Sequence, residues 1–169
     1  IRCDSEADIE KQEEKMNRAE ITAKLSETIE KKINPQNDPR IYWAKEVTFD
    51  YSSDHAVRVD YMKFVPVNNS TSGIEKGDFY CYEVKSCIED FHSGHGLNFI
   101  GDYNYLVMTK ETYAAVSTEI PYYVGIYVQD GNGLTCIKKA RRRNRTRPVS
   151  EMLLMMFRSA ARELGKARK

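Results

Sequence analysis

The chain has 169 residues, of which 41% are apolar and 30% charged, with a formal net charge of +1. That balance fits one globular domain with an appended helix. No apolar run approaches the roughly 20 residues a membrane helix needs, and the charged N-terminus carries nothing like a signal peptide, so a cytoplasmic protein is expected.

Residues 5–33 read as a helix, because Ile21, Leu25, Ile29 and Ile33 recur every fourth position and form one apolar stripe. Its early part, EADIEKQEEKMNR, is nearly all charged, which sets residues 1–19 apart as a charged helical extension. Asn34-Pro35 ends the helix, since proline disfavours helical geometry in the residue before it. Three strands follow: IYWAKEVTFDY (41–51), AVRVDYMKFV (56–65) and DFYCYEVKS (78–86). The SSDH between the first two is turn chemistry, and the polar 67–77 stretch reads as a long loop. In the second strand the alternation runs through Val57, Val59 and Tyr61. In the third, Phe79, Cys81, Glu83 and Lys85 share one face, and Tyr80, Tyr82 and Val84 the other.

The stretch from Cys87 begins as a short helix and breaks at Gly94 and Gly96. NYLVM (104–108) reads as a strand and 109–116 as a short helix. YYVGIYVQD and LTCIKKA form a hairpin around Gly131-Asn132-Gly133. Last, Ser150 caps an amphipathic helix to about Leu164, with Met152, Leu153, Met156, Phe157 and Ala160 on its packed side. The predicted class is α/β, a mixed sheet flanked by helices. The four cysteines, Cys3, Cys81, Cys87 and Cys136, form no C-x-x-C pair and are expected to be reduced, small buried hydrophobes.

Charge is segregated. Residues 138–169 hold 12 Lys and Arg against Glu151 and Glu163, whereas the preceding 137 residues hold 23 acids and 14 bases. The densest run, KKARRRNRTR (138–147), has seven bases in ten. Lys138, Lys139, Arg141, Arg142, Arg143 and Arg145 are therefore candidate contacts to a polyanion.

Glu83 and Lys85 are two charges inside an apolar, aromatic strand, and Asp60 is a third inside the strand before it. If these strands pair as antiparallel neighbours, the two carboxylates converge. Two carboxylates held together repel and are costly to bury, and a divalent cation removes that cost. Mg²⁺ (or Mn²⁺) suits one or two carboxylates plus waters, with the Val84 carbonyl a further ligand. Lys85 would hold or deprotonate a water, or stabilise charge on a phosphate. The set describes metal-assisted phosphodiester hydrolysis. His92, His95 and His55 lie in loops and, lacking a third ligand, suggest no metal site. Tyr103 and Tyr105 suit base stacking or, more simply, a core.

RVDYMKF followed by YEVKSCIEDF resembles the PD-(D/E)xK nuclease superfamily, which has the restriction-endonuclease-like fold. The SCIEDF continuation after Glu-x-Lys is similar to MmcB-like DNA repair proteins and related phage-borne members, and so are the NYLVM strand and the GIYVQDGNGL hairpin. The resemblance covers about residues 20–140. It implies a nuclease-like domain at 20–147 with an αβββαβ core, an added hairpin, and the terminal helix 148–169 outside it. It implies a Mg²⁺-dependent nuclease acting on DNA, in repair or in processing mobile-element DNA. Asp60 and Glu83 would be metal ligands, Lys85 the catalytic lysine, and Asp90 and Phe91 structural. The superfamily often adds a first-helix glutamate, for which Glu20 is preferred over Glu27, with Glu46 of the first strand a rival. Val59 stands where the name of the family has proline. Many nucleases of this fold act as pairs, and the terminal helices are candidates for recruiting a protein partner. The alternative is an inactive nucleic-acid-binding or adaptor protein that keeps the fold.

Overall fold

The computed structural model describes residues 17–169; Cys3 and the early part of the first predicted helix lie outside them. Helix α1 (Arg18–Ile33) starts on a capping box: the Asn17 side chain accepts from the Glu20 N–H at 3.0 Å, and the Glu20 carboxylate accepts from the Asn17 N–H at 2.9 Å. Asn34 ends it, ahead of Pro35. Strands β1 (Tyr42–Phe49) and β2 (Val57–Val65) form a hairpin. The 67–77 loop carries a short helix, α2 (Thr71–Glu75), because the Ser70 hydroxyl accepts from the Gly73 N–H. After β3 (Asp78–Lys85) come α3 (Ile88–His92), β4 (Tyr103–Met108), α4 (Lys110–Val116), β5 (Gly125–Asp130), β6 (Gly133–Lys138) and α5 (Val149–Ala167). Ser150 is not the cap of α5. Pro148 occupies that position, its fixed φ and missing N–H suiting a helix entry.

The six strands form one mixed sheet in the order β1-β2-β3-β4-β5-β6. β1, β2 and β3 are antiparallel, β3–β4 and β4–β5 parallel, and β5–β6 an antiparallel hairpin turning at Gly131, whose φ is +58°. The Ile21/Leu25/Ile29/Ile33 stripe lays α1 over Tyr82, Val84, Val107 and Leu134. Residues of the opposite alternation face the other helices: Phe79 and Cys81 meet Val149, Met152 and Met156 of α5, while Leu106, Met108 and Ile126 pack with Phe91 of α3 and Val116 of α4. Burying Leu25, Ile29 or Met152 completely stabilises the fold by about 2 kcal/mol each.

Two expectations about faces need correcting. Val59 and Met62 both belong to the α5-side core, whereas Tyr61 packs under α1. The alternation therefore slips at Asp60–Tyr61. Opposite the slip, Glu46 has φ +52°, and neither Glu46 nor Asp60 joins the paired register between Lys45↔Tyr61 and Val47↔Val59. In α5 the packed residues are Val149, Met152, Met156 and Ser159, while Phe157 points outward and is 70% exposed. Among the described residues, no helix is long and apolar enough to cross a membrane. Cys81 is buried, but Cys87 is only partly so and Cys136 is exposed; all three are free thiols.

Candidate active site

The β2–β3 pairing ends at Tyr61↔Tyr82. One further step of that register sets Asp60 opposite Glu83, at the end of the sheet where β3 runs on into α3. The Val84 N–H donates to Asp60 Oδ2 at 2.9 Å, which fixes this carboxylate against β3. Since a strand residue aims its N–H and C=O at the same neighbour, the Val84 carbonyl points the same way. Glu83 is buried beside Asp60, and its carboxyl is pushed up to about 10, first by burial and then by the Asp60 charge and hydrogen bond. Lys85, only 3% exposed, donates from Nζ to the His95 carbonyl. The sequence-predicted trio is thus brought together.

The glycine loop after α3 completes this corner. Gly96 has φ +77°, and a Cβ there would lie 2.4 Å from Glu83 Oε2. Only glycine lets the backbone come this close to the carboxylate. His95 contributes its carbonyl, and its side chain is exposed. His92 pairs with Glu119 at 3.0 Å on the surface, and His55 sits exposed in the β1–β2 turn. The SCIEDF stretch (86–91) is structural as expected: Asp90 accepts from the Ser86 N–H at 3.1 Å, pairs with Arg18 at 3.0 Å, and Phe91 is buried.

These residues line a cleft of about 900 Å³ between α1, the β1–β2 kink and the end of α5. Of the three glutamates weighed in support, Glu20 is spent on the capping box and Glu27 on Lys31, both exposed and away from the cleft. Glu46 does line it, 3.9 Å from Arg58. The first-helix carboxylate that reaches the cleft is Glu30, which accepts from the Tyr61 hydroxyl at 3.0 Å and lies 3.6 Å from Lys45. Its signal was in the sequence: Arg18, Thr22, Ser26 and Glu30 all line the cleft at four-residue spacing, one position off the apolar stripe. Among the described residues, no three His, Cys, Asp or Glu side chains gather into a metal-sized cluster. Two carboxylates and one carbonyl nevertheless fit a Mg²⁺ that keeps several waters.

The basic 138–147 segment lies elsewhere. Arg142 pairs with Asp78 at 3.2 Å, and Arg145 with the buried Asp102 at 2.6 Å and the Gly77 carbonyl at 2.8 Å. This is the start of β3, seven residues and so roughly 23 Å along the strand from Lys85. Asp102 also accepts from the Phe79 N–H at 2.8 Å, so Arg142 and Arg145 tie the segment down. Arg143 stacks on Tyr123 and Arg141 on Tyr122, and Lys138 donates to the Pro121 carbonyl at 3.3 Å. Lys139 is exposed. The candidate polyanion contacts therefore lie at the opposite end of β3 from the carboxylates, with Arg142 and Arg145 engaged by carboxylates of the fold. Sequence charge density could not reveal that Asp78 and Asp102 engage Arg142 and Arg145. Tyr103 and Tyr105 stack across strands on Tyr80 and Tyr82.

No protein-family model and no curated protein matches the chain. Among solved structures, it resembles the SPO1766 protein of unknown function from Silicibacter pomeroyi, with a TM-score of 0.61 and 17% identity over 92% of this chain and 94% of that one. That likeness establishes a shared fold and nothing about chemistry.

Proposed function

We propose that the chain is a metal-dependent nuclease of the PD-(D/E)xK type that hydrolyses phosphodiester bonds in DNA. The observation that carries this reading is the convergence of Asp60 and Glu83 beside buried Lys85 at the head of an open cleft. The chain order of one helix, three antiparallel strands, a helix and a parallel strand supports it, being the order the resemblance implies.

The carboxylates of Asp60 and Glu83 and the Val84 carbonyl would hold the cation. Bound there, it would act as a Lewis acid and lower the pKa of water. The chain supplies the rest. Asp60 is oriented by the Val84 N–H. With a cation held there Glu83 would be ionised, because the positive charge would supply the compensation that burial denies its carboxylate. The Lys85 ammonium, aimed by the His95 carbonyl, faces charge that develops on the scissile phosphate. Five Lys and Arg and six Asp and Glu line the cleft, so its own field barely attracts a polyanion. Substrate binding therefore gains from the added positive charge, with Lys45, Arg58 and Lys166 placed for phosphate contacts.

The test is cleavage of DNA with Mg²⁺ or Mn²⁺, together with calorimetric metal binding. Asp60→Asn loses both, whereas Lys85→Met binds metal and cuts nothing. Wild-type protein that takes up no divalent cation overturns the proposal. One observation favours a second reading, a catalytically silent DNA-binding protein of the same fold: Lys85 is nearly inaccessible and already satisfied by His95. DNA binding that persists in EDTA, with no cutting under any metal, selects it.

A further inference from the structure

The acidic pair lies at the floor of the cleft, not at its rim. Glu83 is 5% and Lys85 3% exposed, and the Asp60 side chain 25%. Around them stand α1 with Ser26 and Glu30, the β1–β2 kink with Glu46 and Arg58, and the last turns of α5 with Glu163 and Lys166. These walls are pinned to one another. The Lys45 ammonium lies 3.6 Å from Glu30 of α1 and 4.0 Å from Glu163 of α5. The Lys45 and Glu46 carbonyls accept from Ser159 and Arg162 of α5. Ser159 is buried, so moving the α5 wall aside costs more than a surface ion pair.

We infer that the substrate is a single, unpaired DNA strand held by its phosphates. This inference rests on the nuclease reading above and names the form of its substrate. Size carries it first. The cleft of about 900 Å³ is about 12 Å across if taken as round, no more than the major groove of a duplex alone. Its volume is that of a small-ligand site, so it admits a few nucleotides of one strand without the second strand beside them. A phosphate on the outside of a duplex stops at the rim, short of Asp60 and Glu83.

Charge points the same way. A duplex carries one charge per about 1.7 Å of its axis, so a protein that grips it meets many phosphates at once. Of the five cations in the cleft, Lys85 is buried and Arg18 is paired with Asp90 at 3.0 Å, which leaves Lys45, Arg58 and Lys166. The dense basic run of 138–147 lies at the opposite end of β3. Among the described residues of the lining the one aromatic is Tyr61, buried and with its hydroxyl on Glu30. No ring is offered for bases to stack on, so the strand is held by its backbone without regard to sequence.

Fluorescence anisotropy with the Lys85→Met variant in Mg²⁺ compares an unpaired oligonucleotide with a blunt duplex of the same length. The unpaired strand is expected to bind at least about tenfold more tightly, its log Kobs falling by about 2 per tenfold rise in salt, for three contacts at about 0.7 each. Wild-type protein with Mg²⁺ or Mn²⁺, given a duplex stem with an unpaired arm, is expected to cut the arm and spare the stem. A supercoiled plasmid is expected to be nicked and its relaxed form spared, since negative supercoiling favours unpairing. A duplex bound as tightly as the single strand, or a stem cut as fast as the arm, overturns the inference and leaves the nuclease reading standing. Failure to cut either form under any metal overturns the nuclease reading instead. The binding comparison then still decides: equal affinity overturns the inference too, and a preference for the unpaired strand upholds it for a silent binding protein.

Discussion

In the absence of a divalent cation, Glu83→Gln is expected to stabilise the protein at neutral pH. Glu83 is 5% exposed, and its carboxyl titrates at about 10 instead of 4.5, because burial and then the Asp60 charge disfavour its ionised form. Unfolding returns it to near 4.5. Between those values the folded chain holds a proton that the unfolded chain releases, so stability falls as pH rises. The contribution is complete below about pH 4.5 and is lost progressively up to about pH 10. At about pH 7 the interval of 2.5 units corresponds to about 3 kcal/mol. Glutamine keeps the shape and does not titrate. Urea unfolding in EDTA at about pH 5, 7 and 9 is therefore expected to show a gap between variant and wild type that widens with pH. Added Mg²⁺ should stabilise the wild type in proportion to its binding and leave the variant unmoved. Parallel pH profiles for the two proteins would refute this account of Glu83.

Gly96→Ala is expected to cut metal affinity and DNA cleavage at least about tenfold, since its Cβ would displace Glu83. Gly94→Ala, also at positive φ but in open space, should cost only about 1 kcal/mol of stability and spare activity, as thermal unfolding and the nicking assay will report. Asp102→Ala should lose about 3 kcal/mol in urea unfolding, because it strands Arg145 and the Phe79 N–H. In fluorescence anisotropy, Arg58→Ala should weaken DNA binding and lower its salt dependence, whereas Lys139→Ala should do neither.

The strands and the grouping of Asp60, Glu83 and Lys85 are legible because they follow local rules. A charged pair in an aromatic strand and a turn glycine announce themselves within ten residues. What escaped the sequence depends on long-range partners. Arg142 and Arg145 looked like free cations because Asp78 and Asp102, which engage them, lie about 40 to 65 residues away in the chain. Glu20 looked eligible for the cleft until its capping role with Asn17 was visible. Glu30 belongs to a polar four-residue series, and polar stripes are ordinarily solvated faces. The slip at Asp60–Tyr61 lies across the hairpin from Glu46, at φ +52°, which no period-two pattern contains.

That kink has a consequence for the order in which the protein can assemble. At that kink the Lys45 and Glu46 carbonyls accept from α5: from the Ser159 hydroxyl and, at 2.9 Å, from the Arg162 guanidinium. A nascent chain synthesised from its N-terminus carries Asp60, Glu83 and Lys85 long before those residues emerge. The wall beside the acidic pair therefore stays unfinished until α5 has emerged, and the cleft takes its mature shape only once that helix has closed over the first hairpin.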